Sequence, residues 1–117
     1  MKKILIFLLV IGFIATGCGK NTAIEVSVYN QSGEEIRNVT LIYTGGRVNS
    51  DLIRPGEMSI LRVNPTGASD IQIQFSSKGQ HVEQKLDVYF ENNYSGYLAI
   101  NITKDNKITY EDKTSIS

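Results

Sequence analysis

Two places in this 117-residue chain carry side chains whose type and spacing could do chemistry. One is Cys18, the single cysteine, which stands directly after Ala15, Thr16 and Gly17 and so places a nucleophilic thiol at the end of a small-residue cleavage box. The other is His81, the single histidine, with Glu83 and Asp87 at even spacing beyond it. A histidine paired with a carboxylate is the usual kit of a general base and its orienting acid. On a strand, however, residues 81, 83 and 87 share one outward row, and no serine or cysteine is placed to complete a nucleophile arrangement. The expected role is a solvated polar face. Metal chemistry fares no better. No pair of Cys or His has zinc spacing, and Asp105, Asn106, Glu111 and Asp112 lack the alternating oxygen ligands and glycine of a calcium loop, with Lys104 and Lys107 opposing a cation. Gly45 and Gly46 before Arg47 could form an anion nest, yet no helix follows to reinforce it. The reading is a protein without catalytic residues, metal or cofactor.

Cys18 closes a segment with a recognisable plan. Lys2 and Lys3 give a positive start, residues 4–14 form an apolar run, and the small residues follow. A spanning helix needs about 20 apolar residues, so the run is too short to cross a bilayer and reads as a secretory signal. Over residues 1–18 the chain resembles bacterial lipoproteins, differing at Ala15, where leucine is commonest. That resemblance implies removal of residues 1–17 and transfer of diacylglycerol to the Cys18 thiol. The membrane is then a partner through the lipid, and the protein faces outward. It would sit in the outer leaflet of the plasma membrane in a cell with one membrane. With two, Gly19 in place of a retaining Asp favours the outer membrane. Stable anchoring generally takes two acyl signals, and diacylglycerol with an added N-acyl chain supplies them.

The elements that must carry any site begin almost at once. Residues 18–22 form the lipidated cysteine and a short tether; residues 19–22 reach only about 13 to 14 Å when extended. The domain is therefore expected close to the bilayer. Without Lys2 and Lys3 the chain has 10 basic against 12 acidic residues, a net charge near −2. Such scattered, balanced charge leaves no footprint for nucleic acid. All six tyrosines fall after the signal, and tryptophan is absent, a composition that suits a half-exposed sheet.

From Ile24 the apolar period is two. Ile24, Val26 and Val28 alternate with Glu25, Ser27 and Tyr29, and residues 30–33 read as a turn. Val39, Leu41 and Tyr43 set a second strand, residues 48–53 a short edge strand, and residues 58–63 a fourth. Pro55-Gly56 and Pro65 with Gly67 mark turns between them. Ile71, Ile73 and Phe75 lead into a hairpin turn at residues 77–80, with Val82, Leu86, Val88 and Phe90 on the return. Leu98, Ile100 and Ile102 give another inward row, and residues 108–111 a last short strand. About seven to eight short strands with regular turns predict an all-β fold, an antiparallel β-sandwich of immunoglobulin-like type, over residues 23–111. Residues 112–117 read as a polar tail. The Ser-Gly and Pro-Gly-Glu turns are similar to those of small bacterial sandwich domains, including the intracellular proteinase inhibitor type, but turns alone assign no family.

One segment suits binding by composition. Residues 89–97 gather Tyr89, Tyr94 and Tyr97 beside small polar residues, an adaptable contact set; the competing reading has Phe90 and one tyrosine plugging the end of the sandwich. The expected function is a small lipid-anchored module of the cell envelope that binds or scaffolds an envelope protein. A blocker of a surface enzyme, of inhibitor or immunity type, is the alternative. Strand addition along residues 48–53 is a second route to a partner.

Overall fold

The computed structural model describes residues 23–116, so the signal, Cys18 and the tether lie outside the described residues. Eight strands follow in order: β1 (Ile24–Asn30), β2 (Ile36–Tyr43), β3 (Gly46–Ile53), β4 (Met58–Val63), β5 (Ser69–Ser77), β6 (Gln80–Phe90), β7 (Tyr94–Ile102) and, after a short 3-10 turn at Lys104–Asn106, β8 (Ile108–Ile116). They form two four-stranded sheets, ordered β4-β1-β7-β8 and β3-β2-β5-β6. The fold is the all-β sandwich that the two-residue period predicts.

Alternation builds the core. Every second residue of a strand faces the same way, and Ile24, Val26 and Val28 of β1 meet Ile71, Ile73 and Phe75 of β5 and Leu98, Ile100 and Ile102 of β7 in one fully buried cluster. Each such side chain contributes about 1.5–3 kcal/mol by leaving water. The turns follow their chemistry. Lys78 and Gly79 both take left-handed φ, 52° and 75°, the pair of values that a two-residue hairpin needs to match strand twist. Gly56 takes φ 82° behind Pro55, and the Glu57 amide donates to the Arg54 carbonyl at 3.0 Å.

Four details depart from the sequence reading. The sheets are not wholly antiparallel: β1 and β7 pair in parallel, Ile24 opposite Gly96 through Asn30 opposite Ile102. Parallel pairing requires a long connection, and here five intervening strands supply it. Second, β2 begins earlier than Val39. A register shift between Arg37 and Thr40, with Asn38 at φ 52°, lets Ile36 and Val39 both face inward at odd spacing. Such a bulge breaks strict alternation, which hid Ile36 from a period-two search.

Third, β8 does not stop at Glu111. Residues 112–116 continue to pair with β7, Ile116 lying opposite Tyr94, so the sandwich extends through the stretch read as a polar tail. The strand lies at a sheet edge and stays largely exposed, so backbone pairing rather than apolar alternation holds it. Finally, the edge strand β3 starts at Gly46, before the expected Val48, and its flank adjoins β4. Ser59 Oγ donates to Ser50 Oγ across that seam at 3.1 Å, so this edge is partly occupied by the protein's own fourth strand.

Candidate functional site

The topology sorts the loops into two groups. At the end where β1 begins lie the β2–β3, β4–β5 and β6–β7 connections; this end, where the described residues begin, is the proximal end. The β1–β2, β3–β4, β5–β6 and β7–β8 connections gather at the opposite, distal end.

Distal geometry is organised around one residue. Asn30, the last of β1, is fully buried. Its Nδ2 donates to the carbonyls of Glu34 at 2.7 Å and Ile53 at 2.8 Å, and its Oδ1 accepts from the Ser32 amide at 3.0 Å and the Ser32 hydroxyl at 2.7 Å. The Asn30 amide also donates to the Glu57 carbonyl, and its own carbonyl accepts from the Gly56 amide. All the side-chain capacity of a carboxamide is spent, and two loops are bound to one strand end. In sequence Asn30 reads as an ordinary turn residue. The available signal was its parity, which places a polar side chain on the inward row of Ile24, Val26 and Val28.

Beside this brace lies an open cleft of about 460 Å³. Ser32 and Glu34 come from the β1–β2 loop, Lys78 and Gln80 from the β5–β6 hairpin, and Lys104, Asp105 and Asn106 from the turn before β8. Lys78 Nζ stands 3.1 Å from Glu34 Oε1, tying two of the three loops together. Lys78, Asp105 and Asn106 all adopt left-handed φ, at 52°, 63° and 59°. Lys78 does so as the first residue of the two-residue hairpin, and Asp105 and Asn106 are residue types that tolerate this region, so turn chemistry accounts for all three. Chemically the cleft offers hydroxyl, amide, ammonium and carboxylate groups in close mixture. That suits hydrogen bonding to a polar partner.

The three candidate tyrosines do not form one surface. Tyr94 packs against the core, its ring centroid 6.3 Å from that of the buried Phe90, and so plugs the proximal end. Tyr89 meets Tyr94 edge to face at 6.2 Å. Its phenol is held above the ordinary value, chiefly by a hydrogen bond to the Glu91 carboxylate, then by desolvation and the Glu91 and Tyr94 charges. Tyr97 projects instead from the outer face of the β4-β1-β7-β8 sheet, beside Glu25.

His81 Nε2 lies 3.1 Å from Glu83 Oε1 on the exposed outer row of β6, and Gln72 Nε2 donates to the other Glu83 oxygen at 3.4 Å. Asp87 is engaged through its backbone, whose amide accepts no proton but donates to the Tyr110 hydroxyl at 3.0 Å. None of the clefts described for the molecule is lined by His81. Among the described residues no group of three His, Cys, Asp or Glu side chains could hold a metal ion.

No family model matches the chain, and no curated protein matches it. Among solved structures the chain is similar to the NMR structure of a protein from Eubacterium rectale, at 7% identity and a TM-score of 0.57, covering 80% of this chain and 90% of that one. Likeness at that identity concerns the fold alone.

Proposed function

We propose that this protein is a lipid-anchored, non-catalytic binding module at the outer surface of a bacterial membrane, which meets an envelope protein through its distal loop end. One observation carries the reading: β1 starts at the proximal end, where the tether joins, while the cleft braced by Asn30 lies at the other. Loops held on a rigid scaffold are the usual place for recognition, and fixing them in advance lowers the ordering cost of binding. The lipid on Cys18 is part of the same proposal and rests on the signal-like residues 1–18.

Two experiments test it. Metabolic labelling with a palmitate analogue is expected to mark the wild-type protein and not Cys18→Ser; an unlabelled wild type overturns the anchor. A photo-crosslinking residue at Asn106 or Lys78, installed in the native host, is expected to capture a discrete envelope protein, with little product from Asn93 at the proximal end. Product from Asn93 alone would overturn the distal assignment. The alternative, a blocker of a surface enzyme, draws on the same rigid loops. It predicts that deletion exposes the producing cell to a damaging enzyme and that the tethered domain restores protection.

A further inference from the structure

The outer faces of the two sheets differ in kind. On the β3-β2-β5-β6 sheet the outward rows are mainly polar, with Arg47, Asn49, Gln72, Gln74, His81 and Glu83, and the apolar Ile42 and Leu52 among them are half-buried. On the β4-β1-β7-β8 sheet, cross-strand pairing brings Ile60, Ser27 and Ala99 into one row, Met58, Tyr29 and Asn101 into the next, and Tyr97 beside Glu25. Met58, Ile60 and Tyr97 are each more than half exposed, at 56%, 58% and 59%. Together with Ala99 and Ser27 they line a shallow, mostly apolar groove, with Glu25 at its edge. Three strands and three rows give a patch about 10 Å wide and about 14 Å long before side chains are added.

We infer that this sheet face lies against the lipid bilayer, so that the domain rests on its side with the polar sheet outward. The inference rests on the proposed acylation of Cys18. β1 runs through the patch, and its first residue, Ile24, adjoins the row that holds Glu25 and Tyr97. Six residue steps separate Cys18 from Ile24, about 20 to 22 Å at full extension. A lipid at Cys18 therefore keeps the patch within reach of the membrane, and at such effective concentration even weak contacts are occupied. The chemistry of the rim fits an interface rather than an anionic headgroup trap. Arg62 pairs with Glu25 at 3.2 Å and Lys113 with Glu111 at 3.3 Å, leaving these cations matched by carboxylates. Exposed tyrosine and methionine between neutralised charges suit the apolar-to-polar boundary of a bilayer.

The chain contains no tryptophan, so one introduced at an exposed position reports from a single place. The full lipidated protein carrying Tyr97→Trp would be reconstituted into phosphatidylcholine vesicles, with Ile60→Trp as a second reporter and His81→Trp as the reporter on the polar sheet. Expected are a blue-shifted emission for the Tyr97→Trp and Ile60→Trp proteins and quenching by brominated acyl chains at least threefold stronger than for His81→Trp. Quenching should be insensitive to added salt, and the double substitution Met58→Asp with Ile60→Asp in the Tyr97→Trp background should abolish the difference. Acylated protein with equal quenching at all positions overturns the face contact while leaving the anchor standing. Loss of the palmitate label overturns the anchor itself. A blue shift that appears without vesicles and rises with protein concentration assigns the face to a second copy and overturns the lipid contact.

Discussion

A buried carboxamide is tolerable only where each of its polar atoms is met, and at Asn30 four side-chain hydrogen bonds meet them. Replacing Asn30 by Ala strands the Glu34 and Ile53 carbonyls and frees the distal loops, so Asn30→Ala is expected to lower stability by about 2–3 kcal/mol in urea denaturation. Substitution by Asp should also destabilise, because a carboxylate cannot donate to those carbonyls. At Tyr89 the expectation concerns pH. The Glu91 carboxylate disfavours the phenolate, raising the folded-state pKa above the ordinary 10.0. A group raised in this way favours the folded state fully below the unfolded pKa and loses that contribution as pH rises through the folded pKa. Spectrophotometric titration of Glu91→Gln should therefore show Tyr89 ionising at lower pH than in the wild type, with no change at neutral pH. At the level of residue type the reading was uneven: His81 and Glu83 form the exposed polar pair expected of an outward row, whereas Asn30 read as punctuation.

Strands were legible to the extent that alternation was clean. β1, β5 and β7 read directly because Ile24, Val26 and Val28, or Ile71, Ile73 and Phe75, keep strict parity. β2 did not, because the bulge at Asn38 moves Ile36 onto the inward row. A left-handed residue that is not glycine costs roughly 1 kcal/mol or more unless it is Asn or Asp, so Asn38→Val should destabilise by about 1–2 kcal/mol and Asn38→Gly should be nearly neutral, as read from thermal midpoints. Closer constraint operates at Gly96, where φ is 114° and an added Cβ would collide with the Lys113 carbonyl oxygen of β8. Gly96→Ala is expected to cost more than 2 kcal/mol by splaying β7 from β8. β8 supplies the clearest contrast of readings. A polar tail could be removed without effect, whereas truncation after Glu111 deletes the pairing of residues 112–116 with β7 and should lower stability by about 2 kcal/mol.

For the whole molecule, what matters is that β1 begins at one end and the cleft lies at the other, while the two sheet faces differ in polarity. Period two, the turn residues and the inward rows are local properties of the chain; they established a β-sandwich and most of its core without any tertiary information. Charge balance came likewise from composition, and the expectations of no nucleophile set and of a lipid at Cys18 came from composition and spacing. Pairing order is different. The parallel union of β1 with β7 joins residues far apart in the chain, and it is selected by how two sheets bury their apolar rows together rather than by any local preference. That choice brings Ile60, Ala99 and Tyr97 onto one outer face, separates Tyr97 from Tyr89 and Tyr94, and gathers three distant loops around Asn30. Each strand's sequence determined which residues face in and which face out; only the tertiary structure decided which outward residues become neighbours, because neighbourhood across a sheet depends on long-range pairing and register.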